Sequence, residues 1–317
     1  MVRARSVGDP AALPVSRVAR LVGAVEYGVA MPTPTTATSA SAPDAAPTAT
    51  PPSALSPSRA SDFKTCPLLY RLRAIDRIPE PTTPAQVKGT LVHSVLERLY
   101  DLEAYDRTTT AAVALLEPEW SRLKTDEHGL TDLFDDPAAE TAWLSEARRL
   151  VEAYFDVEDP TRLAPADRER LVEVTVADDV PLRGFIDRVD VAPTGQVRVV
   201  DYKTGKAPGP AFQAQALFQL KFYALVLWRL NGVVPAMLRL LYLKDRQVID
   251  YAPTEDELRG VERTVVALWR AITTAAAAGD FPPRKNPLCN WCAHQTRCPE
   301  FGGTPPPYPL PTAVPGA

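Results

Sequence analysis

The chain has 317 residues, a formal net charge of −4 and 45% hydrophobic residues, enough for one large core or two ordinary ones. A balance so near neutrality excludes a uniformly basic surface, so any footprint for a polyanion must be local. No run reaches the roughly 18 consecutive apolar residues of a membrane span, and the first 25 residues lack the apolar run and cleavage site of a secretory signal.

The chain is therefore expected in the cytoplasm, with no membrane partner. Four cysteines in that compartment read as metal or cluster ligands rather than as disulfides. Charge is segregated: residues 59–98 carry seven Lys/Arg against four acids, while 101–160 carry sixteen acids against five bases. The first segment is the candidate basic footprint and the second reads as a solvated helical surface.

In chain order, residues 1–57 end in a long Pro/Ala/Thr/Ser-rich stretch from Met31 that cannot bury enough surface to offset its ordering entropy. Disorder is expected there, and Met31 is an alternative start. "SPSRASDFKTCPLLYRLRAI" predicts helix broken at Pro67, and "AQVKGTLVHSVLERLYDL" a helix beginning near Gly89; both carry apolar residues at helical spacing. Further helices are expected around 110–124 and 138–157, a helical insertion spanning about 100–165. The period then changes to two: "RLVEVTVAD", "VPLRGFIDRVDVA" and "QVRVVDYKT" read as strands, the last two joined by the turn "APTGQ". A long buried helix closes at Asn231 and Gly232, two strands follow, and a last helix is capped by Thr254. The tail 303–317 resembles the N-terminal segment. The pattern is α/β, a central mixed sheet flanked by helices, within a domain over 58–302.

The run "VRVVDYKTGK" ends a strand built for burial with Asp201 and Lys203, two residues apart and hence on one face. Asp187, in "GFIDRVD", comes to the same region if the two strands form a hairpin. Paired carboxylates repel unless a cation lies between them, and hard oxygen ligands suit Mg²⁺ or Mn²⁺. An adjacent ammonium can offset charge developing on a phosphate. Taken singly, an Asp at a strand end reads as a turn-former and an Asp-x-Lys pair as a surface accident.

"GFIDRVD" followed by "VVDYKTGK" resembles the signature of the PD-(D/E)XK nuclease superfamily, in particular its RecB-like exonuclease branch. An upstream "GTLVHSVLE" with His93 and a downstream "QLKFY" with Gln219 and Tyr223 complete the resemblance in the expected order. It implies a restriction-endonuclease-like core, with His93, Asp187, Asp201 and the Tyr202 carbonyl as metal ligands. It further implies Lys203 as a catalytic group, with Gln219 and Tyr223 orienting it. Glu173, on the first strand, matches an acidic position of uncertain role. The plain reading of His93 is a histidine hydrogen-bonded to Glu97 one turn away; Tyr223 would then be core and Gln219 a polar gap-filler.

Cys289, Cys292 and Cys298 form a C-x2-C-x5-C run within the segment 285–302, and Cys66 stands far upstream. Thiolates suit zinc or an iron–sulfur cluster, and spacing alone does not choose. His294 is a rival zinc ligand. The arrangement resembles that of the iron-staple nucleases, the AddB-type and CRISPR-adaptation enzymes, which implies a 4Fe–4S cluster clamping the helical N-terminal part to the C-terminus. The expected function is a Mg²⁺- or Mn²⁺-dependent DNA exonuclease acting on single-stranded or free ends in repair or recombination. The alternative is a non-catalytic iron–sulfur or zinc nucleic-acid-binding subunit. No HExxH zinc-hydrolase motif occurs, and no G-x-x-x-x-G-K-S/T motif occurs, so a helicase would be a separate polypeptide.

Overall fold

The structure, a computed structural model, describes residues 53–127, 129–209 and 213–308. The stretch from Met31 to Pro52 and the end of the tail lie outside the described residues. Inside them, the first helix, α1 (Pro57–Thr65), is capped by Ser56, whose side chain accepts from the Arg59 amide, with proline at its first position. It stops at Cys66, and α2 (Pro67–Tyr70) runs on through a π-helical turn, Arg71–Ile75.

Helix α3 (Pro84–Leu99) starts at Pro84, ahead of the expected Gly89. Thr83 and Gln86 form a reciprocal capping box around Pro84, and those satisfied amides outweigh the helix cost of an interior glycine. Three helices follow, α4 (Thr109–Ala114), α5 (Leu116–Asp126) and α6 (Pro137–Val157), the last capped by Asp136. Strands β1 (Pro165–Val176), β2 (Val180–Val191) and β3 (Val197–Lys203) are consecutive. Helix α7 (Gln213–Asn231) leads to β4 (Met237–Tyr242) and β5 (Gln247–Tyr251), and α8 (Glu255–Ala278) closes the core.

The sheet order is β1-β2-β3-β4-β5. β1, β2 and β3 are successive antiparallel neighbours, β3 and β4 are parallel, and β5 is antiparallel to β4. A parallel pair needs a crossover, and α7 supplies it. Between β2 and β3 the "APTGQ" turn is closed by the amide of Ala192 donating to the carbonyl of Gln196 and that of Gly195 to Ala192.

Two apolar cores flank this sheet. One joins it to α1, α7 and α8 through residues such as Ile186, Val199, Phe222 and Val265. The other joins it to α3, α5 and α6 through Leu91, Leu96, Trp120 and Val151, with Val200 and Tyr202 from β3. The central strand is covered on both sides, which is why "VRVVDY" is nearly continuous in apolar residues.

The edges of both segments expected to be disordered are drawn into this core. Leu55 is fully buried and bridges to Leu182, its amide donating to Pro181 O at 2.8 Å. At the other end Arg71 donates to the Pro306 carbonyl, and its guanidinium lies over the Tyr308 ring. One large apolar side chain within a Pro/Ser-rich stretch is enough to anchor its end when a sheet edge offers backbone partners.

Candidate metal centre

The β1–β2 register pairs Arg168 with Arg188 and Arg170 with Ile186, so position 169 falls opposite 187. The β2–β3 register pairs Arg188 with Val200, so the next step sets 187 beside 201. Three adjacent strands thus bring Glu169, Asp187 and Asp201 toward one place. Helix α3 crosses above and lowers His93 onto them. Its Nδ1 lies 3.4 Å from Asp187 Oδ2 and 3.9 Å from Glu169 Oε1, and its Nε2 lies 2.9 Å from the Tyr202 carbonyl. Among the described residues, His93, Glu169 and Asp187 are a group whose ligand atoms all fall within 4.8 Å of one another. One imidazole nitrogen with hard carboxylate oxygens fits a divalent cation such as Mg²⁺ or Mn²⁺.

The electrostatics suit a cation-binding site. Burial pushes the Asp187 carboxyl well above its usual range and the neighbouring Asp201 carboxylate adds to it, only partly opposed by the Tyr202 amide, which donates to Asp187 Oδ2 at 2.8 Å. Glu169 is pushed up to about 7, first by burial and then by Asp187. Like charges crowded out of water in this way are relieved by protonation or by a cation.

Asp201 is 1% exposed, and its Oδ2 meets Lys203 Nζ at 2.6 Å. Burial works against the Lys203 charge, but Asp201 and then Asp187 more than offset it, so its pKa is raised and the ammonium persists. Lys203 also donates to Gln219 Oε1 at 2.9 Å, and Gln219 Nε2 donates to the Tyr223 hydroxyl at 3.2 Å. Gln219 and Tyr223, one turn apart on α7, therefore fix the direction of the ammonium. Burial raises the Tyr223 hydroxyl far above its ordinary value, so it stays protonated.

Tyr223 passes so close to β2 that a Cβ at Gly184 would lie 2.6 Å from its ring; only glycine admits that approach.

Not every expected residue arrives. Glu173 is opposite Arg183, to which it is ion-paired at 3.3 Å, and stands exposed four residues along β1 from Glu169. The cross-strand register decides between the two acids, and it favours Glu169. In the sequence the strand pattern reads only from Arg170, whereas β1 begins at Pro165, so Glu169 carries no strand signal. Glu169 has φ 43°, a left-handed backbone costly for a side-chain-bearing residue and characteristic of sites rather than regular strand. His93 is turned to the sheet, toward Asp187 and the Tyr202 carbonyl, which favours the ligand reading over the alternative of a bond to Glu97.

The basic footprint over 59–98 also dissolves in part. Arg71 pairs with Asp76, Arg73 with Asp62 and Glu80, Lys88 with Glu146, and Arg98 with Asp101. Some of these acids lie outside the segment, so its local charge count overstated what is available to a polyanion.

Behind the site Arg188 is fully buried. Its Nη1 donates to the hydroxyls of Tyr100 at 2.9 Å and Tyr202 at 2.7 Å, and lies 2.7 Å from Glu158 Oε2; Asp190 closes the other side at 3.1 Å. One guanidinium thus ties the end of α3 and the end of α6 to β2 and β3.

The four cysteines are all unpaired as disulfides and line one apolar cavity of about 50 Å³ with Leu68 and Leu72. The amide of Arg284 donates to Cys66 Sγ at 3.3 Å and that of Asn286 to Cys289 Sγ at 3.4 Å. Burial raises the Cys298 thiol, and Cys66, Cys292 and Cys289 add to it, opposed by a backbone amide at Glu300. His294 lines the same cavity, but its Nε2 faces Glu80 at 2.7 Å, so that nitrogen is engaged elsewhere.

A five-stranded mixed sheet presenting Glu, Asp, Asp and Lys at one end, with a His from the helix above and helices on both faces, defines a restriction-endonuclease-like protein with a candidate divalent-metal site. Residues 54–299 match the profile of the PD-(D/E)XK nuclease superfamily, and the chain belongs to that superfamily. It is similar to the Gene 69 protein of Mycobacterium phage L5, 32% identical over 127 residues that span 39% of this chain and 41% of that protein. It is also similar to the Gene 69 protein of Mycobacterium phage D29, 23% identical over 77% of this chain and 96% of that one. Among solved structures, SSO0001 aligns with 58% of this chain and 82% of its own at 18% identity and a TM-score of 0.33. Among the described residues no helix is long and apolar enough to cross a membrane.

Proposed function

We propose that the chain is a metal-dependent DNA exonuclease of RecB-like type, hydrolysing phosphodiesters at single-stranded or free ends. The observation that supports it is the continuous relay Tyr223–Gln219–Lys203–Asp201 ending beside His93, Glu169 and Asp187. His93, Glu169 and Asp187 would hold the divalent ion, with Asp201 and the Tyr202 carbonyl at hand. When bound, such an ion polarises a phosphoryl oxygen and acidifies water. The chain's own part is positional. Lys203, held by Asp201 and Gln219, points its remaining donor toward the place where a phosphate oxygen gains charge. The protonated Tyr223 keeps Gln219 from turning. Helix α3 and the buried Arg188 set the distance between the imidazole and the carboxylates.

The cysteine cavity supports a structural cluster. The four cysteines share one cavity, with amide donors on two of the sulfurs, an arrangement that suits a 4Fe–4S cluster, with zinc as the alternative.

End-labelled single-stranded DNA with Mn²⁺ tests the activity. Wild type should release label, EDTA should stop it, and Asp201→Ala and Lys203→Ala should abolish it. Tight binding with no metal-dependent release by wild type would overturn the catalytic reading in favour of a binding subunit.

A further inference from the structure

The outer part of the β1–β2 hairpin carries an apolar step that the fold does not require. Leu171 and Phe185 are direct cross-strand partners, and they remain 42% and 51% exposed. Around them β2 alternates as a strand with one covered face should, with Leu182, Gly184 and Ile186 buried. A single exposed apolar residue needs no explanation, but a paired aromatic and aliphatic beside a candidate site is a surface awaiting a partner.

Its position indicates which partner. Phe185 precedes Asp187 by two residues, so both project from the same face of the pleat, one strand repeat apart. Phe185 also lines an open cleft of about 470 Å³ shared with Gln219, Tyr223, Arg59, Arg183 and Ser58. That cleft therefore runs from the aromatic step to the residues that hold Lys203. It is polar and basic elsewhere: Arg183 pairs with the exposed Glu173 at 3.3 Å, a surface pair weak enough for a phosphate to replace.

We propose that Phe185, seated on Leu171, stacks an unpaired base of the strand whose adjacent phosphodiester lies at the metal centre, with Arg183 and Arg59 along the backbone. This rests on the nuclease reading and specifies its substrate as unpaired strand. A duplex buries each base face against the next, so an aromatic ring on the cleft wall gains nothing from it, whereas an unpaired base presents a whole π-face.

Fluorescence anisotropy of the full chain in EDTA, with a labelled oligothymidylate and a blunt duplex of equal length, separates these cases. Phe185→Ala should weaken single-strand binding by about tenfold and leave duplex binding within about twofold, and Phe185→Trp should restore the single-strand affinity. An exposed position tolerates these changes without unfolding. Unchanged single-strand binding in Phe185→Ala, or equal loss on both probes, overturns the stacking site even where wild type degrades DNA with Mn²⁺. Conversely, Phe185-dependent binding without any metal-dependent cleavage keeps the site and removes the nuclease reading.

Discussion

Lys203 has three ammonium donors, and two have fixed destinations, Asp201 at 2.6 Å and Gln219 at 2.9 Å. One direction is left for a substrate oxygen. Lys203→Met should therefore lower the turnover number on single-stranded DNA by about 100-fold or more. Gln219→Ala, which keeps the charge and loses only its aim, should cost about tenfold; equal losses would show that Gln219 does more than orient. At Glu169 the folded protein holds its proton up to about pH 7, against an ordinary value of 4.5. Between those values the folded state binds more protons than the unfolded one, so this group's contribution to stability falls as pH rises. Metal-free Glu169→Gln should accordingly be more stable than wild type at pH 8, by about 1–2 kcal/mol given the residue's partial exposure, and the difference should vanish near pH 4. Urea melts at the two pH values check it, and a variant less stable at pH 8 would contradict the assignment.

At the scale of elements, the site depends on how α3, α6 and α7 are docked on β2 and β3. Arg188 satisfies tyrosines and acids from several of these elements with one buried charge. Arg188→Met would leave Glu158 and Asp190 facing one another in the interior without it, a loss of about 3–5 kcal/mol, measurable as a shift in denaturation midpoint. Glu158 retains Arg198 and Arg239 within 4 Å, which favours the lower end. On the other face, Gly184→Ala must push the Tyr223 ring aside. It should reduce turnover through Gln219 and Lys203 with Mn²⁺ affinity unchanged, and a variant as active as wild type would show that Tyr223 is only packing.

At the scale of the whole molecule, the cysteine cavity joins α2 to the segment after α8, residues 66 and 289–298. Contacts so far apart in sequence close a very long loop, so a group bound in the cavity would restrain both ends of the domain. Anaerobically purified wild type should be brown, and Cys292→Ala should lose the colour and melt at a lower temperature. A colourless wild type holding stoichiometric zinc would refute the cluster and leave the metal centre untouched.

Much of this was legible in the residues alone. Strand period, the closely spaced Asp201 and Lys203, and the one-turn spacing of Gln219 and Tyr223 are local properties, fixed by geometry within a few residues. The lengths of α3 and β1 were misjudged where a capping box and a left-handed residue lie outside the apolar pattern. Partnership between distant segments was not legible. Only cross-strand register selects Glu169 over Glu173, and only packing shows that four of the seven basic residues over 59–98 already have acidic partners. The exposure of Phe185, too, follows from which faces the helices cover. A sequence states what each residue can do; which neighbours it does it with depends on contacts between elements that chain order does not specify.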